Sequence, residues 1–318
     1  MAGHAQRHGI SGNKGRGFEF TGTVRGVLSP GPGRTIYVHT EGGQSGSGAG
    51  WDSPLSTMAA AFAVVQSGDT ILVAGNVREQ LVTPTGIFDV RVVGVGPRPR
   101  HADAHTDGNG RRAAATWRAP ASPTATTALC RVLQQGWVFE NILFAAHTDY
   151  GALEFVRNAG ADDAERDASH GAVLNCRFAG GAYGILIGKS GSFTENVHNL
   201  LIAGNTFNDQ TTAAISGING RRLQVLDNVF MDVASGVIVP AVQSVFRGNT
   251  VGKHTTYGLD LNGGEYNMVN GNWLSGAYTT DTGRYRPGTS DDWSGNFSSD
   301  EDESTVTSGI THAVPTTD

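Results

Sequence analysis

Six segments in the middle of this chain repeat one phrase, a short apolar strand that passes through Asn and closes on Phe or an aliphatic substitute. They run Glu140 to Phe144, Leu174 to Phe178, Ala203 to Phe207, Leu226 to Phe230, Phe246 to Val251 and Val269 to Leu274. The closing residues Phe144, Phe178, Phe207, Phe230, Val251 and Leu274 are separated by 34, 29, 23, 21 and 23 positions. A strand-bearing unit of about 20 to 30 residues cannot bury its own apolar face, so it must stack on copies of itself. The chain is therefore expected to be a solenoid.

A second strand follows each closing residue: Gly151 to Val156, Tyr183 to Ile187, Ala213 to Ile218, Ser235 to Val239 and Tyr257 to Leu261. Several of these strands have Gly at or next to their start, which suits a bend between sheets. Two or more short strands per unit, without intervening helices, imply parallel sheets wound into a β-helix. Two residues before each closing position stand Ile142, Cys176, Asn205, Asn228, Asn249 and Asn272. Four asparagines at one coil position would lie about 4.8 Å apart, near enough for each amide to bond the next.

Composition agrees with narrow coils. Gly makes up 45 of 318 residues and charged residues only 16%, as many turns and few long exposed helices require. The net charge of −6 gives no reason to expect a nucleic-acid partner. Two cysteines, Cys130 and Cys176, are too few for a disulfide framework, and Cys176 falls in an inward slot, where it serves as a small apolar residue. No run of eighteen apolar residues is present to span a membrane, and the first residues lack the apolar stretch of a secretory signal. Synthesis and retention in the cytoplasm of the expressing cell are expected.

Three regions are distinguished. Residues 1–34 form a Gly-rich basic arm with Arg7, Lys14, Arg16, Arg25 and Arg34 against one acid, Glu19, too poor in apolar surface to fold alone. Residues 35–278 carry the solenoid, opened by a helix near 56–66 that Ser56 can cap and that places Met58, Ala61, Phe62 and Val65 on one face, a plug for the end of the core. Residues 279–318 read as an irregular tail with the acidic run Asp300 to Glu303. The polar stretches His101 to Arg112 and Asn158 to His170 read as loops at one edge of the stack.

The opening order of Tyr37-Val38, a Gly-rich loop, Trp51 to Pro54, an Ala-rich helix at Ala59 to Val65, and Gly68-Asp-Thr-Ile-Leu-Val73 resembles the start of pectate-lyase-like right-handed parallel β-helix proteins. With the later repeats the resemblance covers about residues 35–278, and it implies an all-β, right-handed parallel β-helix. It specifies chemistry poorly, since the fold hosts lyases, hydrolases, epimerases and non-catalytic spikes. Neither the Asp-Asp, His and Arg-x-Lys set of polygalacturonases nor the Arg-x-x-Arg and calcium-binding aspartates of pectate lyases is found in this sequence.

Two residues beyond the closing slot stand Ala146, Gly180, Asp209, Asp232, Lys253 and Gly276. Stacked in register, Asp209 and Asp232 would be neighbours with Lys253 beyond, and carboxyls about 5 to 5.5 Å apart match a retaining glycosidase. That is the sharpest catalytic reading, as a polysaccharide lyase or glycoside hydrolase. Its rival is ordinary turn chemistry, with Asp232 and Lys253 an exposed ion pair worth about 0 to 1 kcal/mol. The histidines show no metal-ligand spacing, so neither metal nor cofactor is expected. Outward positions of the second strand, Glu154, Leu186, Ser216, Ile238 and Asp260, include two apolar residues that need cover. Leu186 and Ile238 would be covered either by the tail with Trp293 and Phe297 or by further copies of the chain.

Arm, cap, short coils and polar tail, together with Val95 to Arg100, Ala119 to Thr124 and Asp291 to Asn296, resemble β-helix proteins of tailed-phage virions. The resemblance implies a non-enzymatic structural protein, a capsid decoration or a spike or fibre subunit on the virion exterior. Its expected partners are further copies in a homotrimer, the major capsid protein and host-surface glycans. A polysaccharide depolymerase or glycan-binding adhesin is the alternative.

Overall fold

A computed structural model describes residues 33–41, 46–96, 115–157, 167–188, 197–276, 285–299 and 310–312. Short strands add in parallel, coil upon coil, to three long sheets of ten, eight and ten strands. Sheet A runs from Thr35–His39 to Asp292–Ser294, sheet C from Leu81–Val82 to Tyr285–Arg286, and sheet B from Asn76–Val77 to Phe297–Ser299 with a tenth strand, Ile310–His312, added antiparallel at its end. A three-stranded sheet of Val197–His198, Gly220–Arg221 and Ala241–Val242 lies along one edge. This is the architecture of a parallel β-helix, as the spacing of the repeats predicts.

The inward slots carry the core. Register stacks Trp117, Phe144, Phe178, Phe207, Phe230, Val251 and Leu274 in one column. Successive rings of Phe144, Phe178, Phe207 and Phe230 lie 5.1, 4.6 and 4.9 Å apart and nearly parallel. Each buried aromatic contributes about 1.5–3 kcal/mol by removal from water, and one column uses the same shape repeatedly, so successive rings stack face to face.

The asparagines form the expected ladder. Nδ2 of Asn205, Asn228 and Asn249 donates to Oδ1 of the next at 3.0, 3.0 and 2.9 Å. The ladder runs one rung further than the sequence reading has it, because Asn272 donates to Asn296 at 2.8 Å. The expected irregular tail is corrected accordingly: Tyr285–Arg286, Asp292–Ser294 and Phe297–Ser299 complete another coil. The spacing holds, with 24 residues from Leu274 to its register partner Ser298, but a serine stands where earlier coils close on Phe or an aliphatic residue, and this hides the repeat; Trp293 takes the strand slot and Asn296 the ladder slot. Trp293 continues the inward row through its pairing with Val269 and packs on Tyr285 at 5.7 Å, so it does not cover Leu186 or Ile238.

Sheets meet at corners made by single residues with positive φ. Between A and B these are Asn141, Asn175, Gly204, Asp227, Gly248, Gly271 and Gly295. After sheet B they include Gly180, Asp209, Asp232 and Lys253. One left-handed residue reverses the chain direction without consuming length, and Gly, Asn and Asp adopt it at least cost.

The helix spans Met58–Val64 and buries Met58, Ala61 and Phe62 as expected. Its cap is Thr57 rather than Ser56: the Thr57 hydroxyl accepts the Ala60 N–H at 3.1 Å. The Glu79 carboxylate takes two more free donors, Met58 N–H at 2.9 Å and Ala59 N–H at 2.8 Å, the arrangement a helix N-terminus favours. Phe62 meets Trp137 edge-on at 5.3 Å, closing the core. Arg34 binds Asp69 at 3.0 Å and the Val64 carbonyl at 2.8 Å, fastening the entering chain to the end of the helix. Arg7, Lys14, Arg16 and Arg25, with the loop His101 to Arg112 and most of the loop before Asp167, lie outside the described residues.

Candidate functional site

Sheet C carries the most chemically varied outward row. Its strands stack Val82, Arg131, Glu154, Leu186, Ser216, Ile238, Asp260 and Arg286 one above another. At one end Glu154, with 0% of its surface exposed, accepts from Arg131 Nε at 2.8 Å and from the Tyr150 hydroxyl at 3.3 Å. Burial and the adjacent Glu154 carboxylate push the Tyr150 phenol up to about 12. Tyr183 stands edge-on to Tyr150 at 6.5 Å.

The other end repeats the motif. Asp260 pairs with Arg286 at 3.6 Å, Arg286 donates to the Tyr257 hydroxyl at 3.2 Å, and its guanidinium lies 5.5 Å from the Tyr257 ring centre. In each cluster the carboxylate and arginine are register partners on adjacent coils, with the tyrosine three or four residues before the carboxylate. Four coil steps, about 19 Å, separate Glu154 from Asp260. Glu154 and Asp260 stand among the outward positions named from the sequence, whereas Arg131 and Arg286 do not. Their strands, Cys130–Val132 and Tyr285–Arg286, flank the Asn–Phe repeats, and only sheet register could have found them.

A general acid or base must reach the proton it transfers. Glu154 is sealed beneath Tyr150 and neutralised by Arg131, so its geometry suits holding the arginine and tyrosine in place. Leu186 and Ile238 share this row, both half-buried, with Ser216 between them.

Asp209, Asp232 and Lys253 do occupy successive coils at one position, because Asn208, Met231 and Gly252 pair in register immediately before them. All three are exposed, and all three are left-handed, with φ of 64°, 53° and 53°. Asp209 accepts from the side-chain amide of Asn208. The corner conformation accounts for aspartate here by itself, and the side chains lie on an edge of the solenoid rather than in a groove between walls.

Cys130 and Cys176 are free and buried, and burial raises both thiols, Cys176 up to about 12. Cys176 fills the ladder slot and donates weakly to the Phe139 carbonyl at 3.6 Å. Among the described residues, no three His, Cys, Asp or Glu side chains gather as a metal site.

Residues 139–274 match the family model described as right handed beta helix region. This chain is a right-handed parallel β-helix. Its fold is similar to that of a GH136 lacto-N-biosidase from Eubacterium ramulus, with TM-score 0.59, 12% identity and coverage of 83% of this chain and 56% of that one. It is also similar to the pectate lyase Pel9A (TM-score 0.42, 14% identity, 83% and 78%) and to ORF18 of Geobacillus virus E2 (TM-score 0.43, 12% identity, 83% and 61%). The chain thus spans little more than half the length of the lacto-N-biosidase. No curated protein matches the sequence. The likeness to the lacto-N-biosidase is one of fold.

Proposed function

We propose that this β-helix is a non-enzymatic structural subunit of a tailed-phage virion, displayed on the exterior of the particle and held there through its amino-terminal arm. One observation carries the non-enzymatic part. Three carboxylates on the sheet faces are matched by arginines: Glu154 by Arg131, Asp260 by Arg286 and Glu140 by Arg91. A face organised in this way is a rigid polar surface for contact rather than a site with a free acid and base. The virion setting is supported by the resemblance drawn from the arm, cap and short coils. In this reading, copies of the chain assemble as a trimer that covers Leu186 and Ile238, and the arm engages the major capsid protein.

Mass spectrometry of purified particles from a strain carrying the gene tests the assignment, together with a version lacking residues 1–34. The full chain should copurify with the particles, and the truncated chain should remain a folded β-helix that no longer joins them. Full occupancy by the truncated chain, or absence of the full chain from particles, contradicts the proposal.

The register of Asp209 over Asp232 favours one second reading, a polysaccharide depolymerase. Turnover of bacterial polysaccharides that disappears in both Asp209→Asn and Asp232→Asn would establish it in place of the first.

A further inference from the structure

Two rows of side chains point outward from sheet A, one on each side of the inward row that includes Phe139, Val173, Ile202 and Val225. The first runs through Val138, Ala172, Leu201, Gln224, Val245 and Met268, paired in register on successive coils. Along it the exposed fraction rises from 1% at Val138 and 5% at Leu201 to 46% at Met268. In the second row Leu174 and Leu226 are buried too, and with Val138, Ala172 and Leu201 they form an apolar cluster separate from the core. The described apolar side chains packed against this cluster, Ala203 and Val245, stand on the same sheet. Neighbours within one sheet leave the tips of outward side chains in water, whereas a parallel sheet buried on both faces carries a second layer. The burial therefore calls for a layer over these coils that stops short of Met268.

Such a layer must bring apolar surface of its own. Of the segments outside the described residues, 97–114 and 158–166 carry no apolar side chain larger than proline, and 189–196 carries only Phe193. The later segments carry Tyr278, Val306 and Val314, and they leave the solenoid beyond Met268, at the end where the face is exposed. Residues 1–32 carry Ile10, Phe18, Phe20, Val24, Val27 and Leu28. Phe18, Phe20 and Val24 alternate with Glu19, Thr21, Thr23 and Arg25, the period of an extended strand with one apolar side.

We propose that residues 17–28 of the amino-terminal arm lie across sheet A as an extended strap, with Phe18, Phe20 and Val24 against the outer cluster. The tether of residues 29–34 spans up to about 20 Å, and Val138 stands three strands from Thr35, about 14 Å along the sheet. So short a tether keeps the strap at high effective concentration over its own face, which favours the same chain over a neighbouring copy. A segment too poor in apolar surface to fold alone gains its order from a preformed surface. The inference needs only the covered face and is independent of the virion proposal, for which Arg7, Lys14 and Arg16 lie ahead of the strap.

Iodoacetamide labelling of a full-length Val138→Cys chain, read by mass spectrometry, tests the strap. The introduced thiol should react at least about tenfold faster once residues 1–28 are deleted, or once Phe18, Phe20 and Val24 are changed together to serine, while Phe193→Ser should leave it protected. Cys130 and Cys176, which face the core, should stay unmodified in every variant, and protection in the full chain should persist on dilution to nanomolar concentration. A Val138→Cys thiol that reacts freely in the full chain, or that stays equally protected without the strap, overturns the proposal, as does its exposure by Phe193→Ser alone. Protection that fades on dilution assigns the cover to a neighbouring copy, and labelling of Cys130 or Cys176 in the strap variants makes the arm part of the core rather than a layer outside it. Either result overturns the proposal as well.

Discussion

Replacing Asn249 with alanine tests the element that most distinguishes this solenoid from a stack of apolar strands. Asn249 is fully buried and its side chain makes four hydrogen bonds. Nδ2 donates to the Val225 carbonyl at 2.8 Å and to Asn272 Oδ1 at 2.9 Å, while Oδ1 accepts from Asn228 N–H at 3.1 Å and Asn228 Nδ2 at 3.0 Å. At about 1 kcal/mol net for each bond, the loss is about 4 kcal/mol, and donors left unpaired on Asn228 push it upward. Asn228→Ala also removes four side-chain bonds, two to Asn205 and one each to Ile202 and Asn249. The two variants share the single bond from Asn228 Nδ2 to Asn249, so the double variant should be more stable than the sum of the singles by about 1 kcal/mol. Equilibrium urea denaturation of the four proteins reads both quantities. A loss below about 1 kcal/mol for Asn249→Ala would refute the claim that the ladder holds the coils together.

Four further outcomes follow from the same coordinates. Gly184→Ala puts a methyl 2.7 Å from the Ala214 carbonyl and from Phe207 Cδ1, and should lower stability by about 1–3 kcal/mol in thermal melts. Glu154→Gln leaves Arg131 without its charge partner in a covered site and should cost about 2–4 kcal/mol, measured by urea denaturation against Arg131→Met/Glu154→Met, which should cost less. The fold favours the neutral phenol of Tyr150, whose pKa is raised to about 12. Its stabilising contribution is therefore complete below pH 10 and lost between about pH 10 and 12, so stability measured across that range should fall more in the wild type than in Tyr150→Phe. Iodoacetamide at pH 8 should leave Cys130 and Cys176 unmodified in the folded protein and label both in urea, as mass spectrometry would show, because both thiols are buried and their ionisation is suppressed.

What the sequence made legible was the inside of the solenoid. Phe144, Phe178, Phe207 and Phe230 recur because one core column tolerates one shape, and the asparagines recur because a ladder needs identical rungs; periodic causes leave periodic marks. The register that brings Asp209 beside Asp232 was equally legible, but its chemical meaning was not. Aspartate is also what a left-handed corner prefers, and the φ values that reveal the corner cannot be read from residue type. The coil at Tyr285 to Ser299 stayed hidden because the turn into its sheet C strand is longer than in the preceding repeat, and Ser298 stands in the closing slot where earlier coils have Phe or an aliphatic residue. Arg131 and Arg286 were missed for a related reason: an outward residue follows no pattern, and only its pairing partner on the next coil gives it a role.

The positions of those two arginines suggest why buried charge is tolerated on sheet C at all. In a parallel sheet a slip of one residue turns every side chain to the other face, and the central coils resist slipping because their turns are short and alike, with steps of 21 to 23 between closing residues. Their outward row is uncharged at Ser216 and Ile238. The step after Phe144 is 34, so Glu154 lies in the longest of these coils, and Arg286 follows a turn of ten residues between Leu274 and Tyr285 where the preceding coil has five between Val251 and Tyr257. An ion pair within the row is satisfied only when arginine and carboxylate face the same side in register, which makes it a poor source of stability but a sharp selector of alignment. The two Arg–carboxylate–Tyr clusters accordingly stand where periodicity alone would leave the register least determined.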